Sequence, residues 1–561
     1  MGLRSGGRVL VDHLVSFGAQ KAYCVPGESF LGALDAFHDR SADIQLLACR
    51  HEGGAVNMAE AYGKLTGEPG ICFVTRGPGA TNASIGLHTA RQDSTPLILF
   101  IGQVSRDMLG REAFQEIDYR RMFGEVAKHI EEVQDPARLP EIVARAYAIA
   151  MSGRKGPVVV VLPEDVLTEM VEVPDVPCPK RVEAGVTPEA VEGVATLLAK
   201  AERPLLVLGG SGWTESARAD AASFAENFNL PVVAGFRCQD RFDNTHPLYI
   251  GELGTSLTPA LKARVEAADL LLVVGERLSE MPTAGYTIVA APLPKQTLIH
   301  VFAGPEELGR VYSASLPINA GVVPFFAAMA KTAPKEGDVV WKAWASEARA
   351  EFEAGRIPRE FGTELELGQV MAELERQLDD DAIMTNGAGN YTAWLQRFHT
   401  FTKFPTQLAP QSGAMGYGVP AAVAAKSVHP DRQVICFAGD GCFMMTAQEL
   451  ATAVHYRLNP VFIVFDNSMY GTIRMHQERE YPERISGTEL TNPDFAAFAR
   501  SFGANGFTVR HTAEFAPALE QALSSDVPSV IHLVMTPDVV SVRAKLSEVR
   551  AAALARIAAQ A

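Results

Sequence analysis

Two short stretches of this chain carry the residue types needed to hold a divalent cation against a phosphate. They are Gly439-Asp440-Gly441-Cys442-Phe443 and Asp466-Asn467-Ser468-Met469. Each follows an apolar run of strand length, Val434–Ala438 and Val461–Phe465, and a helical segment with Gln448-Glu449-Leu450-Ala451 lies between them. A right-handed crossover brings the carboxyl ends of two such strands together, so Asp440 and Asn467 are expected side by side at one sheet edge. Two oxygen-bearing side chains plus a backbone carbonyl suit Mg²⁺, which keeps its remaining positions for water or phosphate. Gly439 and Gly441 let the backbone approach phosphates, and the helix that starts around Cys442 offers further amides. Gly-Asp-Gly alone also describes an ordinary strand-to-helix turn with Asp440 as cap. The whole spaced set is what points to a site.

A second candidate is Glu52, in Arg50-His51-Glu52-Gly53-Gly54-Ala55 and on through Asn57-Met58-Ala59-Glu60-Ala61-Tyr62-Gly63. The spacing predicts an amphipathic helix whose early acid complements the helix dipole. A third is Gln411-Ser412-Gly413-Ala414-Met415-Gly416-Tyr417-Gly418-Val419-Pro420, where Met415 alone would read as core filler. A fourth is the polar, glycine-containing Thr385-Asn386-Gly387-Ala388-Gly389-Asn390.

In this order and spacing the four segments closely resemble the thiamine-diphosphate-dependent enzymes. The resemblance is strongest to the acetolactate synthase group, which includes pyruvate oxidase and benzoylformate decarboxylase. It runs over nearly the whole chain and is tightest in the first and last thirds. It implies that Asp440 and Asn467 ligate Mg²⁺ through side chains and Met469 through its carbonyl. It implies that Glu52 hydrogen-bonds a pyrimidine nitrogen of thiamine diphosphate and so promotes formation of the reactive carbanion, with the cofactor supplying the chemistry and the protein tuning it. Met415 would hold the cofactor bent, Gly413 would receive its aminopyrimidine, and Gly389 would reach its phosphate or pyrimidine end. The two half-sites come from different subunits in this family, so a homodimer or homotetramer is implied.

Other segments bear on the substrate. Gly110-Arg111-Glu112-Ala113-Phe114-Gln115-Glu116 and Lys128-His129 agree with the synthase pattern, which puts Phe114 and Gln115 at the substrate pocket. Arg76 replaces the synthase's Ser, Glu28 stands where pyruvate decarboxylase carries an Asp, and His476 stands for the synthase's active-site Trp. Each also reads as a surface charge. Facing a pocket, Arg76 could hold a carboxylate while Glu28 and His476 moved protons. Gly275-Glu276-Arg277-Leu278-Ser279-Glu280 lacks the synthase's Asp-Asp-Arg, and Gly209-Gly210-Ser211-Gly212 is only a partial nucleotide loop. FAD is therefore disfavoured.

The elements that must position these residues follow from the rest of the chain. With 561 residues, 47% hydrophobic and 21% charged, the chain is globular and too long for one core. Three blocks repeat the order of short apolar strand, small-residue turn and amphipathic helix. They predict an α/β fold of three doubly wound parallel-sheet domains: a pyrimidine-binding domain over 1–170, a central domain over 189–330 and a diphosphate-binding domain over 360–545 with a helical tail from about Val542. Val171–Pro188 reads as a linker, and charged 331–359 as a separator. A net charge of −16 argues against nucleic acid as a partner. The longest apolar runs are too short to span a membrane. Seven scattered cysteines without CxxC spacing suit a reduced cytoplasmic protein. The expectation is a thiamine-diphosphate-dependent lyase or carboligase acting on a 2-oxo acid or aldehyde. The alternatives are a 2-hydroxyacyl-CoA or acyloin lyase, and a non-catalytic nucleotide-binding scaffold, which intact Glu52, Asp440 and Asn467 disfavour.

Overall fold

Uninterrupted apolar runs become strands covered on both faces. Every residue of Pro157–Pro163 and of Leu270–Val274 is buried, as parallel strands between two helix layers must be. The computed structural model describes residues 2–335, 337 and 339–560. It contains three six-stranded sheets, and every strand pair within them is parallel. The chain divides into two compact units, 1–183 with 423–428, and 184–422 with 429–561.

In the first unit the strands, in chain order, are Lys21–Cys24, Gln45–Ala48, Gly70–Val74, Leu97–Gln103, His129–Glu132 and Pro157–Pro163. Their spatial order is second, first, third, fourth, sixth, fifth. The order reverses between Lys21–Cys24 and Gly70–Val74, so the crevice that such sheets offer to ligands lies beyond those two strand ends. Helix Glu52–Thr66 starts at the His51 cap, whose Nδ1 accepts from the Gly53 amide at 3.0 Å, and ends on Gly67 in the left-handed region. It presses so closely on the sheet that a Cβ at Gly70 would lie 1.8 Å from the Ala59 carbonyl oxygen. Because that obstacle is backbone, Gly70→Ala is expected to destabilise this unit by about 3 kcal/mol. Denaturant unfolding followed by circular dichroism would measure the loss.

The second unit holds two sheets. The central one is built from Pro204–Leu208, Val232–Ala234, Tyr249–Glu252, Leu270–Val274, Thr297–Phe302 and Leu316–Asn319, in the order third, second, first, fourth, fifth, sixth. Apolar clusters cover both of its faces. Residues 331–359, expected to separate two blocks, include the helix Lys342–Gly355. Trp341, Ala345 and Ala348 are buried, the Trp341 Nε1 donates to the Phe228 and Asn229 carbonyls, and Arg349 reaches inward to the Asn244, His246 and Tyr249 carbonyls. The Ala spacing thus made a covering helix of a segment whose composition suggested a spacer.

The last sheet comprises Ile383–Asn386, Gln407–Leu408, Val434–Gly439, Val461–Asp466, Asn505–Val509 and Ser529–Val534. Its spatial order repeats that of the first unit, reversing between Ile383–Asn386 and Val434–Gly439. Asp240 of the central sheet's loop accepts from the Thr406 and Gln407 amides at 3.0 and 3.1 Å, which fixes the edge strand. The terminal helix begins at Leu546, later than expected, because Val539, Val540 and Val542 are buried and Ser541 holds a turn by accepting from the Arg543 and Ala544 amides. Among the described residues no helix is long and apolar enough to cross a membrane.

Candidate active site

At the reversal point of the last sheet lies a cavity of about 260 Å³. Gly389, Gly413, Met415, Gly439, Asp440, Gly441, Cys442, Asn467 and Met469, picked out in the sequence as cofactor or metal residues, all line it. Strand register explains the meeting: Gly439 pairs with Phe465, which sets Asp440 beside Asp466 and Asn467 one residue further on. Ser468 then takes a left-handed φ of 54°, its amide donating to Asp466 Oδ1 at 2.9 Å, and the chain turns sharply between Asn467 and Met469. Gly413 also needs its glycine, with φ +69°.

Asp440 is buried, its Oδ1 accepting from the Gly441 amide at 2.8 Å and its Oδ2 from Asn492 Nδ2 at 2.9 Å. The same Asn492 nitrogen reaches Asp466 Oδ1 at 2.8 Å, and His532 Nε2 lies 2.9 Å from Asp466 Oδ2. Burial pushes the Asp440 carboxyl up to about 6, and Asp466 adds to the rise. Burial would also raise Asp466, but hydrogen bonds from His532, Asn492 and Ser468 outweigh it and hold that carboxyl below its ordinary value. The carboxylate of Asp440, the amide oxygen of Asn467 and the Met469 carbonyl, all on this cavity, could supply oxygen donors of the kind Mg²⁺ prefers. A metal ligand must be deprotonated, so protons compete with Mg²⁺ as pH falls through 6. Mg²⁺-supported cofactor binding is expected to be weaker at pH 5 than at pH 7.5 by about tenfold, measurable by titration calorimetry.

Tyr391 and Asn492 were not singled out in the sequence. The Tyr391 hydroxyl donates to Cys442 Sγ at 3.2 Å, and its ring lies where Cβ atoms at Gly389 and Gly439 would come within 2.8 and 3.0 Å. Gly389 and Gly439 therefore make room for the Tyr391 ring. Asn492 lies in Asn492-Pro493-Asp494, which locally signals only a turn.

In the first unit, Glu52 is half-buried and its Oε2 accepts from Asn82 Nδ2 at 2.9 Å. Gly79 at the start of helix Gly77–Asp93 faces it, a Cβ there lying 3.4 Å from Glu52 Oε1. Asn82 stands on the same helix. Beside this group, Glu28 and Arg76 follow the two strands between which the sheet order reverses. Arg76 is buried and donates to Glu164 Oε2 at 2.6 Å, with its other terminal nitrogen 3.6 Å from the exposed Glu28 carboxylate. The carboxylate that Arg76 holds is the chain's own. Gln115, at φ +66°, accepts from the Gly77 amide through its carbonyl, and the adjoining Phe114 side chain is exposed. His476 is exposed on helix Gly471–Glu480, its ring 3.5 Å from Arg479; it is not among the cavity-lining residues, although Gly471, Thr472 and Ile473 of the same helix are.

Three family models cover most of the chain. They are the thiamine pyrophosphate enzyme N-terminal TPP-binding domain over residues 4–122, the central domain over 191–329 and the C-terminal TPP-binding domain over 387–533. The acetolactate synthase large subunit of Parasynechococcus marenigrum is 33% identical over 542 residues, covering 94% of this chain and 87% of that one. The acetolactate synthase isozyme 2 large subunit of Escherichia coli is 32% identical, covering 94% and 95%. The acetolactate synthase of Arthrospira platensis is also 32% identical, covering 95% and 94%. The chain belongs to the acetolactate synthase-like thiamine pyrophosphate enzymes. The first four strands of its first sheet fall in the N-terminal TPP-binding domain of that family, and most of the residues lining the cavity at the last sheet fall in the C-terminal one.

In the central domain a buried acid occupies the crevice where the strand order reverses. Glu276, only 4% exposed, sits there: Cβ atoms at Gly209 and Gly235 would fall 2.4 and 2.2 Å from its Oε2. Its Oε1 accepts from the Arg277 amide at 2.9 Å, and burial raises its pKa. A carboxyl group thus fills the position where open α/β sheets receive a dinucleotide's phosphates.

Proposed function

We propose that this enzyme is a carboligase that decarboxylates a 2-oxo acid and joins the remaining acyl unit to an acceptor carbonyl, using thiamine diphosphate and Mg²⁺. The single observation that carries the reading is the cavity that gathers Asp440, Asn467, Met469, Met415 and the flanking glycines at one sheet edge. Thiamine diphosphate supplies a nucleophilic carbon and an electron sink, which a 2-oxo acid needs to lose CO₂. Asp440, Asn467 and the Met469 carbonyl would hold Mg²⁺, and the amides of Gly441 and Cys442 the phosphates. Asn82 holds Glu52 Oε2, which leaves Oε1 to move a proton to and from a ring nitrogen of the cofactor. Met415 would support the cofactor's bend, while Trp394, Ile473 and Val540 give the cavity apolar wall surface. Gln115 would border the substrate.

A second reading, a lyase that protonates the acyl unit instead of transferring it, is favoured by Glu28. That carboxylate follows strand Lys21–Cys24 at the reversal point of the first sheet, 3.6 Å from Arg76, and from there it could deliver a proton. The expected assembly is at least a homodimer, each half-site completed by a second copy, and exposed Leu31, Ile85 and Phe114 around the Glu52 half-site suit burial against it. Seven free cysteines, all but Cys178 buried, support a cytoplasmic location.

The test is a panel of 2-oxo acids with and without aldehyde acceptors, reading CO₂ and ligated product. A carboligase releases CO₂ and forms a new carbon–carbon bond only with thiamine diphosphate and Mg²⁺ present. CO₂ with free aldehyde and no ligation would transfer the assignment to the lyase reading. Failure to bind thiamine diphosphate at all would remove both.

A further inference from the structure

Away from the cofactor cavity, the central domain and helix Thr392–Phe398 enclose a second cavity of about 30 Å³, lined among others by Thr258, Arg356, Gln396 and Arg397. It has room for one or two water-sized species. Its walls hold hydrogen-bond donors that lack acceptors. Gln396 is 2% exposed, and its Oε1 accepts from the Thr255 hydroxyl while its buried Nε2 has no partner. Arg397 donates through one terminal nitrogen to the Ser256 carbonyl at 2.8 Å, and its buried Nε has no partner. Buried donors are almost always satisfied, so two orphans on one small cavity call for an acceptor inside it.

Charge narrows what the acceptor is. Arg356 donates to the Phe398 carbonyl at 2.5 Å and the Thr400 hydroxyl at 2.7 Å, and Arg397 to a carbonyl, so neither meets a carboxylate directly. Arg543 donates to the adjacent Leu257 carbonyl. The two carboxylates on the cavity wall are already engaged. Glu351 is held by Arg264 through a pair of bonds of 2.6 and 2.8 Å. Glu252 is fully enclosed, accepting from the Arg237 amide and the Ser256 hydroxyl, and burial shifts it toward its neutral form. Burial also lowers the pKa of both Arg356 and Arg397, and the nearby carboxylates of Glu375 and Glu252 offset only part of it. Helix Pro259–Ala267 begins at the Thr258 cap and turns its positive end to the same place.

We infer that this cavity is a binding site for a single small inorganic anion of halide size, held by Gln396 Nε2 and Arg397 Nε. A water could accept from both orphan donors, but only an anion also balances the charge of the arginines. The anion also braces the far end of the helix that starts at Gly389-Asn390-Tyr391 and carries Trp394 to the cofactor cavity. The inference holds whichever 2-oxo acid is the substrate.

Crystals of the holoenzyme grown in sodium bromide test it directly. An anomalous peak within hydrogen-bond distance of Gln396 and Arg397 is expected, and a water refining there at high bromide would overturn the site. In solution, bromide should raise the thermal midpoint of the wild type by several degrees over sodium gluconate at equal ionic strength. Arg397→Met should abolish that difference, and Gln396→Leu serves the same purpose if the arginine variant does not fold. An equal bromide effect in wild type and folded variant would overturn the inference.

Discussion

Glu52→Gln is expected to lower turnover of a 2-oxo acid by about 10²–10⁴-fold while leaving thiamine diphosphate bound. The asymmetry follows from the local geometry. Asn82 Nδ2 already donates to one carboxyl oxygen, at 2.9 Å, and would donate equally well to the amide oxygen of Gln. The free end would then be an NH₂ group that can donate to an unprotonated ring nitrogen but cannot exchange a proton with it. Cofactor affinity measured by fluorescence quenching should therefore change little while steady-state turnover collapses. Turnover equal to wild type would remove Glu52 from the reaction and leave it a helix-capping acid.

Asp440→Ala should weaken Mg²⁺-supported cofactor binding by more than the roughly 10–100-fold that loss of an outer partner of a metal site typically costs. The protein should nonetheless fold. The folded-state pKa of Asp440 is raised to about 6, so its contribution to stability is present at low pH and is lost as pH rises through 6. At pH 7 the ionised carboxylate, close to Asp466, is a burden on the metal-free protein. Its removal should leave the thermal midpoint of the metal-free form unchanged or higher. Titration calorimetry and thermal unfolding at pH 7 together separate this outcome from simple misfolding. Undiminished binding would show that Asn467 and the Met469 carbonyl suffice.

Part of this was legible in the chain without a structure. Strands such as Val434–Gly439 and Val461–Asp466 announce themselves, because a strand buried on both faces must be apolar throughout. The turn residues after them have few interpretations once that alternation is recognised. Asp440, Asn467 and Met469 are close in sequence to those strands, so local spacing predicted their meeting. The segment 331–359 was harder, because a helix lying on a domain surface has the same charge content as a linker and differs only in its Ala and Trp positions.

The polar partners were not legible. Asn492 joins Asp440 and Asp466 from a loop that crosses back over the strand ends, Tyr391 props the glycine cradle through Cys442, and Asn82 reaches Glu52 from a neighbouring helix. Each contact links elements separated along the chain, and an Asn or Tyr in a turn looks the same with or without such a partner. Arg76 illustrates the limit. Its type suggested a hand for a substrate carboxylate, and only packing showed that Glu164 already occupies it. The sequence by itself determined the α/β architecture and the set of residues that meet around the cavity of the last sheet, because both depend on local pattern. The tertiary structure alone decided which charges are spent within the protein, that Glu276 fills the central crevice and that Gln396 and Arg397 keep free donors, because charge compensation and cavity space depend on side chains brought together across the chain.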